Sequence, residues 1–256
     1  MYSFDEFYEA KLISFCKKIK KFKSVFNYFI ICFNSKMTEI TILPELKQKV
    51  TNIQLSCIQC DVHVRERDEI LWKEIEDKIK ELGDSLDIEN ISKIQTIADS
   101  RKAYKICGKD PARYRLSAEA LLRRVVKRKE LYQVNNVVDL LNLVSISTGF
   151  SIGGYDAEKI VEDVSFGIGN SNEPYEGIGR GELNIEFIPV FRDKLGAFGT
   201  PTSDSVRTSV SLETKRFLMI IIDYGKSSKL LEATEMAIEL LRNYAAATHF
   251  EIKTID

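Results

Sequence analysis

The chain has 256 residues, 44% hydrophobic and 29% charged, with a formal net charge of −1. That is the composition of an ordinary soluble globular protein, long enough to bury a substantial core as one large or two small domains, and it carries no global basic signature. Five cysteines in irregular spacing fit a reducing, cytoplasmic setting better than a disulfide framework.

Residues 1–36 differ from the rest. A basic run, Lys17–Lys23, precedes an apolar run, Val25–Phe33, that is far shorter than the ~20 residues a membrane span needs. The segment reads as an N-terminal extension, helical or poorly ordered, with Met37 as an alternative start. Contact with a membrane surface through its basic and aromatic residues stays open.

From residue 37 the text is that of a single folded domain. Ile40–Leu43 is a short apolar segment stopped by Pro44. Asn52–Arg65 alternates apolar and polar residues, then changes parity after Cys57, which predicts a strand bulged there. Cys57 and Cys60 form a lone CxxC and read as strand cysteines. Asp68 caps a predicted helix closed by Gly83, and a second helical pattern runs from Ile91 to Ile106, ending at Gly108. Trp72 belongs to the core.

Arg101–Lys129 holds eleven Lys or Arg residues against Asp110 and Glu119 alone. Ser117 is expected to cap a helix there. Arg101, Lys102, Lys105, Arg113, Arg115, Arg123, Arg124, Lys127 and Arg128 are the candidate RNA-binding residues of this stretch. A solvated helix face balanced by acids elsewhere is the other reading.

Val137–Val144 is apolar nearly all round, which predicts a buried helix capped by Asn136 and ended by Gly149 in the left-handed conformation. Asn142 stands among its leucines, and a buried amide there needs a polar partner. Ile152-Gly153-Gly154-Tyr155-Asp156 then reads as a glycine turn that lets a ligand or backbone come close. The second half is strand-rich. Glu182–Phe191 alternates loosely, and Arg216–Asp223 contains six unbroken apolar residues, the mark of a central strand covered on both faces. A helix over Ser228–Ala247 is expected to cover that sheet, and His249–Ile255 to form a last strand. Segregated strands and helices argue for an α+β fold with a mixed sheet flanked by helices.

Two further glycine-rich loops, Gly169–Gly181 and Gly196–Thr208, bring in Glu173, Asp204, Ser205, Arg207 and Thr208. With Asn142, Gly153, Gly154 and Tyr155, these are the candidate pocket residues. Neither a phosphate-binding P-loop, a dinucleotide fingerprint, a zinc-protease HExxH nor a nucleophile elbow is found, and two histidines support neither a metal site nor a triad. No cofactor is expected.

The run Val138-Asp139, Asn142, Gly149, Ile152, Tyr155-Asp156 resembles the B3/B4 module of the bacterial phenylalanyl-tRNA synthetase beta subunit, with the likeness clearest over residues 99–247. The resemblance implies a free-standing B3/B4-like domain. It also implies a function in binding tRNA or aminoacyl-tRNA, with trans-editing by hydrolysis of a mischarged aminoacyl ester as the associated activity. It implies a deacylase rather than a ligase, with a tRNA acceptor end as partner and no DNA. By the same resemblance Asn142 matches an asparagine of the family's editing pocket. The pocket histidine falls on Gly153 and the glutamate of a late strand on Ile220, so both groups are missing. Ester hydrolysis without them would rest on a positioned water and backbone donors. The rival reading keeps the cleft for non-catalytic binding of an amino acid, nucleoside or other small ligand. A third assigns the N-terminal segment to a membrane or protein partner.

Overall fold

Strand β9 (Arg216–Asp223) is buried along its whole length, as its unbroken apolar run demands. It lies between β2 (Gln54–Asp61) and β3 (Ser151–Asp156), and β10 (Thr248–Ile255) pairs with the far side of β2 to complete an antiparallel sheet in the order β10-β2-β9-β3. A second sheet, in the order β1-β4-β7-β8, contains β1 (Ile40–Ile42), β4 (Val164–Ile168), β7 (Pro189–Asp193) and β8 (Gly196–Gly199). Its β1–β4 pair is parallel and the others antiparallel, so the sheet is mixed. A small hairpin joins β5 (Glu176–Gly177) to β6 (Gly181–Glu182). The computed structural model describes residues 37–256, of which Thr38–Asp256 make one unit. The expectations for residues 1–36 lie outside the described residues. The fold is α+β, with the strands divided between two four-stranded sheets and the small hairpin.

Helices cover one face of the β9 sheet. They are α2 (Glu69–Ser85), α4 (Ser117–Val126), α5 (Asn136–Thr148) and α6 (Lys229–Ala245), while α1 (Pro44–Lys49) and α3 (Gln95–Cys107) complete the set. Phe217, Met219 and Ile221 of β9 meet Leu71 and Ile75 of α2, Leu122 of α4, Leu140 and Val144 of α5, and Leu241 of α6 in a single core. The alternate β9 residues, Leu218, Ile220 and Ile222, are equally buried and point the other way. That two-sided burial explains the parity change after Cys57. β2 pairs with β9 in unbroken register from Gln54 to Asp61, and no bulge is present; the irregularity is in its pairing with β10. A strand buried on both faces needs no alternation. Cys57 and Cys60, three residues apart, therefore face opposite sides of the sheet, and burial pushes both thiols up to about 12.

Other local expectations change for physical reasons. α2 runs through Gly83 to Ser85, and the glycine makes room for Arg128: a Cβ there would lie 2.7 Å from its guanidinium. The helical pattern at Ile91 divides into a short 3-10 turn and α3, which does end at Gly108 with φ +104°. α4 begins after Leu116 without a side-chain cap. Trp72 is buried and donates from Nε1 to Asp139 Oδ2 at 2.7 Å.

At the start of α5 the cap is Asn135, whose Oδ1 accepts from Val138 N at 2.9 Å. Asn136 is fully buried and does tertiary work instead. Its Oδ1 accepts from Arg65 N at 2.8 Å, and its Nδ2 donates to His63 O and Tyr244 O at 3.0 and 2.7 Å. One amide thus joins the segment after β2, α5 and the end of α6. Asn136→Ala strands these backbone groups away from water and should cost about 3 kcal/mol of stability. Urea unfolding measures it, and a loss under about 0.5 kcal/mol would contradict the role given to this amide.

Candidate functional site

β3 is an edge strand, not a turn, and its two glycines open no space to solvent. Gly153 lies opposite Ile220 on β9, so the two positions at which the sequence resemblance lacks a histidine and a glutamate are cross-strand partners. A Cβ on Gly153 would stand 2.1 Å from the Tyr155 hydroxyl, and one on Gly199, at the end of β8, 2.2 Å from it. The Tyr155 ring fills the space between the sheets, edge-on to Phe198 at 5.0 Å and Phe191 at 6.2 Å. On the opposite face of β3, Gly154 makes room for Leu141 of α5.

The chain leaving β8 turns back over this edge. Thr200 Oγ1 accepts from Ser203 N and donates to Ser203 O, closing a tight loop that presents Asp204. Tyr155 donates to Asp204 Oδ1 at 2.9 Å, and the Gly154 N–H approaches Oδ2 at 3.5 Å. Part of Asp204 reaches the surface, but its carboxyl head is turned inward. Burial raises its pKa to about 7, only partly offset by the donors Tyr155 and Gly154. The Tyr155 phenol is held well above its ordinary value, by burial first and by the adjacent Asp204 charge second. Tyr175 donates to Ser203 O at 2.6 Å and closes the loop from the other side.

Beside this pair opens a cleft of about 1280 Å³, walled by Tyr175, the β5–β6 hairpin, Ala197 and Ser205–Arg207. Of the candidate pocket residues, Asn142, Gly153, Gly154, Tyr155, Asp204 and Thr208 do not line it, whereas Glu173, Ser205 and Arg207 do. Their side chains are already engaged. Glu173 is held by Arg192 at 2.5 and 2.6 Å, and Arg207 grips Asp193 with 2.8 and 2.9 Å bonds. Burial pulls both carboxyls up, but their arginines and neighbouring N–H groups outweigh it and hold each below its ordinary value. Ser205 Oγ accepts from Arg207 N. Thr208 is wholly buried, with a hydroxyl that finds no hydrogen-bond partner among the described residues. Asn142 departs from expectation. It is partly exposed, its side chain makes no hydrogen bond among the described residues, and it sits on the helix that covers the other face of β3. Among the described residues no three His, Cys, Asp or Glu side chains gather as a metal-binding group.

The basic stretch is organised around an acid. Glu119 on α4 is 0% exposed and receives Arg101 at 2.7 Å, Arg123 at 2.9 Å and Arg115 at 3.7 Å. Three guanidiniums around one carboxylate leave a local excess of positive charge at a partly exposed surface. Arg124 binds Glu130 O and lies over the Tyr132 ring, and Arg128 pairs with Asp84. Lys102, Lys105, Arg113 and Lys127 are exposed. Two contacts attach this region to the cleft loop: Ser117 N donates to Pro201 O at 2.7 Å, and the Tyr104 and Thr202 hydroxyls meet at 2.9 Å.

The raised Asp204 value has a stability consequence. Between pH 3.8, its ordinary value, and about 7, the folded protein holds a proton that the unfolded chain has released. Stability therefore falls as pH rises through that window. Asp204→Asn should raise the melting temperature at pH 8 relative to the parent, with the difference shrinking towards pH 4. Thermal unfolding at the two pH values tests this, and a variant less stable at pH 8 than at pH 4, each relative to the parent, would refute it.

No curated protein matches the sequence. Among solved structures, the chain is similar to an N-terminal fragment of the phenylalanyl-tRNA synthetase beta subunit from Pyrococcus horikoshii, with 13% identity and a TM-score of 0.44 over 86% of this chain and 51% of that one. The chain thus spans about half the length of that fragment. A family model described as the B3/4 domain matches residues 99–246, which include most of α3, all of α4 and α5, β3 to β9 and all of α6. No helix among the described residues is long and apolar enough to cross a membrane. The chain belongs to the B3/4 domain family.

Proposed function

We propose that this chain binds the acceptor end of aminoacyl-tRNA and hydrolyses the ester of a mischarged amino acid in the cleft beside Tyr155 and Asp204. The observation that carries this reading is the junction between cation and cleft. Arg101, Arg115 and Arg123 cluster on α3, α4 and the segment between them, and Ser117 and Tyr104 attach those elements directly to the loop that presents Asp204. A polynucleotide end held by its phosphates on such a surface would deliver its terminal group to the adjoining cleft. Lys102, Lys105, Arg113 and Lys127 extend the same surface, whereas Arg124 and Arg128 are partly spent on local partners. The B3/B4 resemblance supplies the substrate class. Cofactors have no role in an ester hydrolysis of this kind.

Discrimination would not follow the family's route. Ile220 offers no hydrogen bond to a hydroxylated side chain, so selection for tyrosine has no donor or acceptor at that position. The same substitution favours a second reading, in which the cleft binds an amino-acid-like or nucleoside ligand without turnover. The fixed Glu173–Arg192 and Asp193–Arg207 pairs would then form part of its wall.

Two measurements separate these readings. The full chain, incubated with a panel of aminoacyl-tRNAs, should release one amino acid selectively. Its RNA affinity should fall steeply with salt, and Arg123→Gln should reduce the slope of log affinity against log salt by about one. Binding that is insensitive to salt would sink the tRNA reading. Salt-sensitive binding with no release of any amino acid would leave an RNA-binding module.

A further inference from the structure

The loop that follows α4 leaves one aromatic ring outside the core. Leu131 is buried among the helices, whereas the next residue, Tyr132, is 70% exposed. The ring is nonetheless held in place. The Arg124 guanidinium lies over it at 4.3 Å, and is itself fixed by donating from Nε and Nη2 to Glu130 O at 3.2 and 2.6 Å. The loop backbone is pinned on either side: Lys129 N donates to Arg124 O and Val134 N to Asp139 Oδ1, each at 2.9 Å. A ring so fixed, with most of its surface open, can take a flat partner at little cost in ordering.

We propose that Tyr132 is a stacking platform for an unpaired base of the RNA strand whose end enters the cleft. The inference rests on the RNA-binding part of the reading above, and adds a base contact to its phosphate contacts. Aromatic rings and guanidinium planes are the surfaces on which proteins stack unpaired bases, because every base has a π-face. The local charge favours that occupant over a protein segment. The end of α4 and the loop carry Arg124, Lys127, Arg128 and Lys129 against Glu130. Of these four cations, only Arg128 has an acidic partner among the described residues, Asp84 of α2. The excess of positive charge beside the ring suits a chain of phosphates.

α4 supplies the spacing. Its first residue, Ser117, bonds the cleft loop at Pro201 O, and Glu119 gathers Arg101, Arg115 and Arg123 just beyond. Arg124 and Tyr132 stand at the far end. The helix has 10 residues and so spans about 15 Å. A strand laid along it from that end would meet Tyr132, then the arginine cluster, then the cleft. Phosphate contacts hold such a strand but are blind to its bases. The ring adds a preference for an unpaired strand over a duplex, whose bases are already stacked on one another.

The test is equilibrium binding of the full chain to unfractionated tRNA with its unpaired 3′ end intact, and to the same tRNA trimmed of that end. Tyr132→Ala should weaken binding to the intact tRNA about fivefold or more. It should leave the slope of log affinity against log salt unchanged, since the phenol carries no charge. On the trimmed tRNA, Tyr132→Ala and the parent should bind alike, which separates a lost platform from a disturbed loop. Tyr132→Phe should keep the parent's affinity, because stacking needs the ring and not the hydroxyl. A smaller loss in Tyr132→Ala, an equal loss on intact and trimmed tRNA, or a Tyr132→Phe as weak as Tyr132→Ala would overturn the platform while leaving the phosphate-binding surface standing. Absence of salt-sensitive tRNA binding by the parent would overturn both.

Discussion

The placement of one phenol, Tyr155, decides the geometry of the whole site. Its ring occupies the interval between the two sheets, and its hydroxyl has room only because residues 153 and 199 lack side chains. The register of β3 follows. Tyr155 opposite Leu218 and Gly153 opposite Ile220 put the ring on the inter-sheet face, whereas a slip of one residue would turn it towards the helices and press a side chain where Gly154 now admits Leu141. The path of the next segment follows too. Leaving β8 at Gly199, the chain is already beside the Tyr155 hydroxyl, and the Thr200–Ser203 loop needs only a few residues to bring a carboxylate onto it.

Around that centre the molecule handles its charges in two ways. Glu173, Asp193 and Glu119 are each met by guanidiniums, and the bonds they make fasten loops to strands or helix to helix. Such partly buried pairs add little net stability over an apolar contact, but removing one member leaves the other uncompensated, so they specify geometry strongly. Asp204 is treated differently. It is enclosed with neutral donors, at a cost to stability above its pKa.

The sequence made the long elements plain and hid the site. β9, the left-handed end of α5 at Gly149 and the body of α6 were legible because apolar runs and helical spacing report burial directly. β2 misled because a strand covered on both faces loses its alternation. Asn136, not Asn142, is the buried amide, and the cap passes to Asn135; Asn136 meets three backbone groups from distant segments that no local pattern reveals. The convergence on Glu119 did leave a trace, with Arg115 and Arg123 each four residues from it, but Arg101 joins from another helix. Tyr155 and Asp204 lie 49 residues apart, and neither stands in a pattern that points to the other.

The position of β3 at the margin of its sheet carries a different consequence. An open strand edge is a template on which a second chain can add a strand, and here the rim is shielded by the loop that bears Asp204. The shielding of the rim therefore depends on one short stretch of polypeptide. Substitutions that loosen Thr200–Asp204 to admit a larger substrate would also bare the rim to self-association.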